Sequence, residues 1–206
     1  MIAEITPLVQ AADTRVWRSA AMAHAVGAVV SAGVLGLILG AGGGILGVFA
    51  TQLTRIQIAG IGTGVAALIL VACAAREAGL VRIPMPSLHR QTPQWFKREF
   101  GPVWSGLLWG ADLGQGWTTH ILYTGYYGLV AWAILGANPA TSAIAFAAFG
   151  LGRALPVIVA GLRTHRDPTS VSRMFLLRQP VLQQLNAVGL ALTGVLLLRA
   201  AFLGTA

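Results

Sequence analysis

Asp112, Gln115, Thr118, Thr119 and His120 fall close together in a stretch that is otherwise Leu, Gly and Trp. A carboxylate, an amide, two hydroxyls and an imidazole in such a short run can bind a polar solute, pass a proton or coordinate an ion. Arg153 lies in another apolar stretch, between Gly150, Gly152 and Pro156, and is the natural counter-ion for Asp112. His24 stands among Ala20, Ala21, Ala23, Ala25, Gly27 and Ala28. Small residues let membrane helices approach closely, so His24 reads either as a hydrogen-bonding residue in a helix contact or as a partner of His120 in metal or haem ligation. No local ligand spacing supports ligation, and no cofactor is assigned.

Other chemistries lack a motif. One cysteine, Cys73, forms neither an internal disulfide nor a dithiol relay, and reads as a small buried apolar residue. There is no G-x-S-x-G elbow, Walker loop or H-E-x-x-H helix, so the chain is read as a non-enzyme. Gly42, Gly43 and Gly44 have no lysine after them and read as the flexible end of a helix, not as a phosphate cradle.

The elements that position these residues are set by composition. Of 206 residues, 56% are hydrophobic and 10% charged, and the mean hydropathy is +0.73. An ordinary soluble domain is not built this way. Crossing a hydrocarbon layer of about 30 Å takes about 20 apolar residues in a helix. Blocks 19–40, 56–75, 101–135, 140–162 and 181–203 qualify, giving an all-α, polytopic transmembrane bundle of about five spans within one membrane domain. Block 101–135 is too long for one straight helix, and Gly110, Gly114 and Gly116 around the polar run predict a broken central span.

Charge placement sets the orientation. The net charge is +8, which in a soluble protein suggests nucleic acid. Here Arg15 and Arg18, then Arg76, Arg82, Arg90, Lys97 and Arg98, then Arg163, Arg166, Arg173 and Arg178 sit between blocks. With five spans they share one face, which the positive-inside rule makes cytoplasmic, in a bacterial inner membrane with the N-terminus inside. Trp17, Trp95 and Trp104 flank block ends as an interfacial belt, and the link from Arg82 to Arg98 can touch anionic headgroups. The partners expected are the bilayer, other membrane subunits or a second copy, and not nucleic acid.

The depth of the polar run is open. Asp112 lies only about 17 Å beyond Gly101 along a helix rising about 1.5 Å per residue, so the run is either a headgroup boundary or a site near the midplane.

The runs Leu80-Val-Arg-Ile-Pro-Met-Pro, Arg90-Gln-Thr-Pro, Gly106-Leu-Leu-Trp-Gly-Ala-Asp-Leu-Gly-Gln-Gly-Trp-Thr-Thr-His and Phe149-Gly-Leu-Gly-Arg-Ala-Leu-Pro resemble the CcdA and DsbD transmembrane family of cytochrome c biogenesis, within a LysE-like superfamily. The resemblance covers residues 18 to 200 and implies pseudo-symmetric helices around a Gly-broken span. It departs twice at the chemistry. The family's Pro-Cys is Thr119-His120 here, and its cysteine-bearing first helix has no counterpart, so dithiol exchange is not implied.

Two functions follow as expectations. One is a permease-like module for a small solute or ion, with Asp112, Gln115, Thr118, Thr119 and His120 lining a site balanced by Arg153. The other is a non-catalytic subunit of a respiratory, redox or biogenesis complex, packed through small-residue faces such as Gly33, Gly36 and Gly40.

Overall fold

The computed structural model describes residues 14–48, 52–84, 99–118, 124–163 and 168–203. Among these residues the chain is entirely helical, with six helices: α1 (Thr14–Val48), α2 (Gln52–Glu77), α3 (Pro102–Gln115), α4 (Gly125–Gly136), α5 (Pro139–Arg163) and α6 (Pro168–Leu203). α1, α2, α5 and α6 each contain a stretch long and apolar enough to cross a membrane: Arg15–Ile45, Gly60–Glu77, Pro139–Val159 and Leu177–Phe202. α3 and α4, at 14 and 12 residues, reach only about 21 and 18 Å and cannot cross about 30 Å alone.

The block expected to be a broken central span holds two short helices among the described residues, and the first ends at Gly116, one of the three glycines expected to mark the break. α3 ends at Gln115, where Gly116 takes φ 76° and its N–H reaches back to Leu113 O at 3.2 Å. Only glycine takes that conformation without penalty. Gly110 and Gly114 belong to α3 itself. One further expectation is corrected: Gly42, Gly43 and Gly44 lie inside α1, which continues to Val48. The expected block 181–203 lies within a longer helix that starts at Pro168 and carries Pro180 in its interior.

Proline and capping chemistry place the helix starts. Pro102, Pro139 and Pro168 each open a helix, where a missing N–H costs nothing. Asn138 caps α5: its Oδ1 accepts from Thr141 N at 3.1 Å. Between α4 and α5, Ala137 sits at φ 49°, a left-handed conformation that strains a residue with a Cβ. Ala137→Gly is expected to raise stability by about 1 kcal/mol, read as a higher melting temperature in detergent.

The chain forms two compact units. One comprises Met1–Val34, Ser87–His120 and Phe146–Gln179; the other comprises Leu35–Pro86, Ile121–Ala145 and Pro180–Ala206. In both, the small residues are inside. In the first, Ala20, Ala28 and Ala154 are fully buried; in the second, Ala66, Ala67, Cys73 and Ala133 are. Large aliphatic side chains point out, among them Val30, Ile38, Leu68, Leu151, Leu192 and Leu196. A water-soluble bundle does the opposite. Where lipid is the solvent, burying leucine gains nothing over lipid contact, and close backbone approach is what binds the helices. The fold thus reads as a membrane bundle. Trp104 is exposed, as an interfacial residue is, whereas Trp17 is buried with Ala20, Ala21 and Val157 and belongs to the packing. Trp95 lies outside the described residues.

Candidate functional site

The polar run sits at the C-terminal end of α3, and the opposite face of that helix determines how it is held. Gly106, Gly110 and Gly114 recur every fourth residue and so form one stripe. A Cβ on Gly106 would meet Ala20 Cα at 3.4 Å and overlap the Ala20 carbonyl; on Gly110 it would overlap the His24 carbonyl; on Gly114, that of Ala28. Ala20, His24 and Ala28 are themselves four apart on α1. The two backbones are therefore in contact along three turns, and Gly27 of α1 returns the approach against Leu107 O and Ala111 N. Ser31 Oγ donates to Ala111 O at 2.8 Å across the same seam. Gly150 of α5 closes on Ala28 and Ala32, so Ala28 is pinched between α3 and α5.

His24 belongs to this seam. It is buried, its ring lies against the Gly106 backbone, and neither ring nitrogen is in hydrogen-bonding geometry with a partner. His24 is thus buried in a helix contact, against the Gly106 backbone. His120 and Thr119, the other halves of the ligation and binding expectations, lie outside the described residues. Among the described residues no group of three or more His, Cys, Asp or Glu is placed to hold a metal ion.

Asp112 and Gln115 are half-buried on α3. Thr118 Oγ1 donates to Asp112 O at 2.6 Å, folding the chain after Gly116 back over the end of the helix. The structure thus ties the Thr118 side chain to the Asp112 main chain. Arg153 is half-buried on α5, its guanidinium over the Phe149 ring at 5.8 Å from the centroid. That is a cation–π contact one turn back on its own helix. An ion pair between Asp112 and Arg153 is not among the contacts of the described residues.

The residues that sequence reasoning missed are in the second unit. Glu77, the last residue of α2, buries its carboxylate and accepts from Thr124 N at 2.8 Å and Thr124 Oγ1 at 2.9 Å. Arg76 Nη1 stands 3.9 Å from the same oxygen. A signal existed: the chain has six acidic residues, and Glu77 abuts an apolar block, where an unpaired carboxylate is costly. In the same unit, Gly43 packs on the Ile134 carbonyl, and a Cβ on Gly40 would come 2.8 Å from Asn138 O and Pro139 Cα. Gly40 and Gly43 thus both pack within the chain, where Gly40 was expected on a face meeting a partner and Gly43 in a flexible helix end.

No family model matches the chain, and no solved structure matches it. Among curated proteins it is similar to methylamine utilization protein MauF of Methylorubrum extorquens, 34% identical over 137 residues that cover 66% of this chain and 45% of that protein. To MauF of Paracoccus versutus it is 35% identical over 146 residues, 69% of this chain and 50% of that one. To MauF of Methylobacillus flagellatus it is 28% identical over 143 residues, 69% and 48%. The chain spans about half the length of the curated relatives it matches. The resemblance to the CcdA and DsbD family is overturned by these matches. It rested on glycine-rich runs, and Gly106, Gly110 and Gly114 are accounted for by helix packing, a demand shared by unrelated membrane bundles. Over two thirds of its length the chain is similar to MauF proteins.

Proposed function

We propose that the protein is a non-catalytic membrane component of a methylamine utilization system, acting through other proteins of that system. The similarity to MauF proteins supports the system, and one structural observation supports the role. The helix that carries the polar run spends its opposite face on backbone contact with α1, leaving no room there even for a methyl group. Sealed helices suit an assembly or docking platform better than a solute path along that seam. The relatives' name likewise favours this second expectation over the permease reading. Five spans in an inner membrane with the N-terminus cytoplasmic are supported by the distribution of Arg and Lys between the apolar blocks. Asp112, Gln115, Thr118, Thr119, His120 and Arg153 are then contact residues for a partner chain and not ligands of a transported solute.

The test is a deletion strain offered methylamine as sole nitrogen source. Growth on methylamine is expected to fail while growth on ammonium is normal, and labelled methylamine is expected still to enter the cells. Lost uptake, together with failure of an Asp112→Asn protein that accumulates in the membrane to restore it, would return the permease reading.

A further inference from the structure

The chain re-enters a helix at Gly125, and a carboxylate from α2 makes the join. A helix start presents unsatisfied N–H groups and partial positive charge. Glu77 Oε1 answers both, accepting from Thr124 N and Thr124 Oγ1 with its side chain 1% exposed. Its charge is matched by Arg76, whose Nε donates to Ile83 O at 2.8 Å and is thereby tied to the chain after α2.

The Thr124 hydroxyl has one proton and two acceptors, Glu77 Oε1 at 2.9 Å and Cys73 O at 3.3 Å. An ionised carboxylate wins that proton, because hydrogen bonds to an ionised acceptor are roughly twice as strong as neutral ones. A neutral side chain at 77 leaves the hydroxyl to the Cys73 carbonyl and deprives the Thr124 N–H of its charged acceptor. Under this corner lies Cys73, fully buried with Leu70, Ala74 and Leu190. Gly125 rests on the same cluster: a Cβ there would come 3.0 Å from Leu190 Cδ2. The start of α4 therefore caps the cysteine's pocket.

We propose that Glu77 is a charge latch: as a carboxylate it holds the start of α4 closed over Cys73, and losing the charge opens that corner. Among the described residues, the titratable groups facing it are Arg76 and Cys73 from α2, and Tyr127 of α4 lies near those two. α6 brings Leu190 and Asn186, which do not titrate. The latch is independent of the accessory role proposed above.

Cys73 is the single cysteine of the chain, so maleimide labelling in native membranes at one fixed pH, followed on the chain after its affinity purification, reads the latch at one site. Wild type is expected to label slowly, Glu77→Gln about tenfold faster, and Glu77→Asp, which keeps the charge, nearer to wild type. Thr124→Val keeps the N–H bond and loses the hydroxyl, and is expected to label a few-fold faster. Wild-type labelling of Glu77→Gln overturns the latch, as does equal acceleration by Glu77→Asp, which would make shape and not charge the cause. Where Glu77→Gln does not accumulate in the membrane, Thr124→Val decides, and unchanged labelling of it overturns the proposal.

Discussion

Gly110→Leu is expected to leave no folded protein in the membrane, and Gly110→Ala to destabilise it by about 3 kcal/mol, the upper range for overpacking. The reason is the identity of the atom in the way. A Cβ at 110 would overlap a backbone carbonyl, that of His24, with His24 Cα a further neighbour at 2.9 Å. A side chain could rotate aside, whereas a carbonyl inside a helix moves only with the helix. α1 and α3 would have to separate, which would also draw Gly106 and Gly114 off Ala20 and Ala28. Gly64 of α2 and Gly152 of α5 are the controls, because a Cβ on either meets nothing within 4 Å. Alanine there is expected to be neutral or to stabilise by up to about 1 kcal/mol through helix propensity. Melting followed by size-exclusion fluorescence in detergent measures all three. Equal losses at 110 and 152 would mean that glycine is used for flexibility and not for fit.

Phe146→Ala is expected to cost about 3–5 kcal/mol, the range for emptying a buried aromatic site. Phe146 is wholly shielded from solvent and is the largest completely buried side chain among the described residues. Its importance follows from what surrounds it. A core of alanine and glycine has few long side chains that can swing into a void, so the hole stays open and its lining loses contacts outright. Leu192→Ala is the matched control. Leu192 is 61% exposed, so its loss exchanges leucine for detergent or lipid and is expected to change stability by less than about 0.5 kcal/mol. The same melting measurement distinguishes them, and a comparable cost at 192 would place that face against another protein chain.

How much of this was legible depended on which physical demand a residue answered. Lipid solvation is averaged over many residues, so the apolar blocks at 19–40, 56–75 and 140–162 lie within helices of the structure. The broken centre was legible too, because a stretch of that length cannot be one straight span. Its position was legible only to within three glycines, since a glycine serves a turn and a close helix contact equally well. Gly116 takes the first role, Gly110 and Gly114 the second, and only the neighbouring helix distinguishes them. The same ambiguity made Gly43 read as flexible. The apolar block 181–203 showed only the lipid-facing part of α6, which starts at Pro168 and carries Pro180 in its interior. The polar run was legible as residues close in sequence, whereas what its side chains meet depends on neighbouring helices that spacing does not name. Glu77 escaped because its partner, Thr124, is distant in sequence.

The inverted distribution of side-chain size also bears on the entropy of assembly. Alanine and glycine have no rotamers to lose, while leucine, isoleucine and valine facing lipid keep theirs. Associating these helices therefore immobilises backbone and little else. Weak forces, such as the 2.8 Å bond from Ser31 to Ala111 and the dispersion between touching main chains, meet little opposition from side-chain freedom. A sequence so poor in interior bulk can in this way still define one arrangement of its helices.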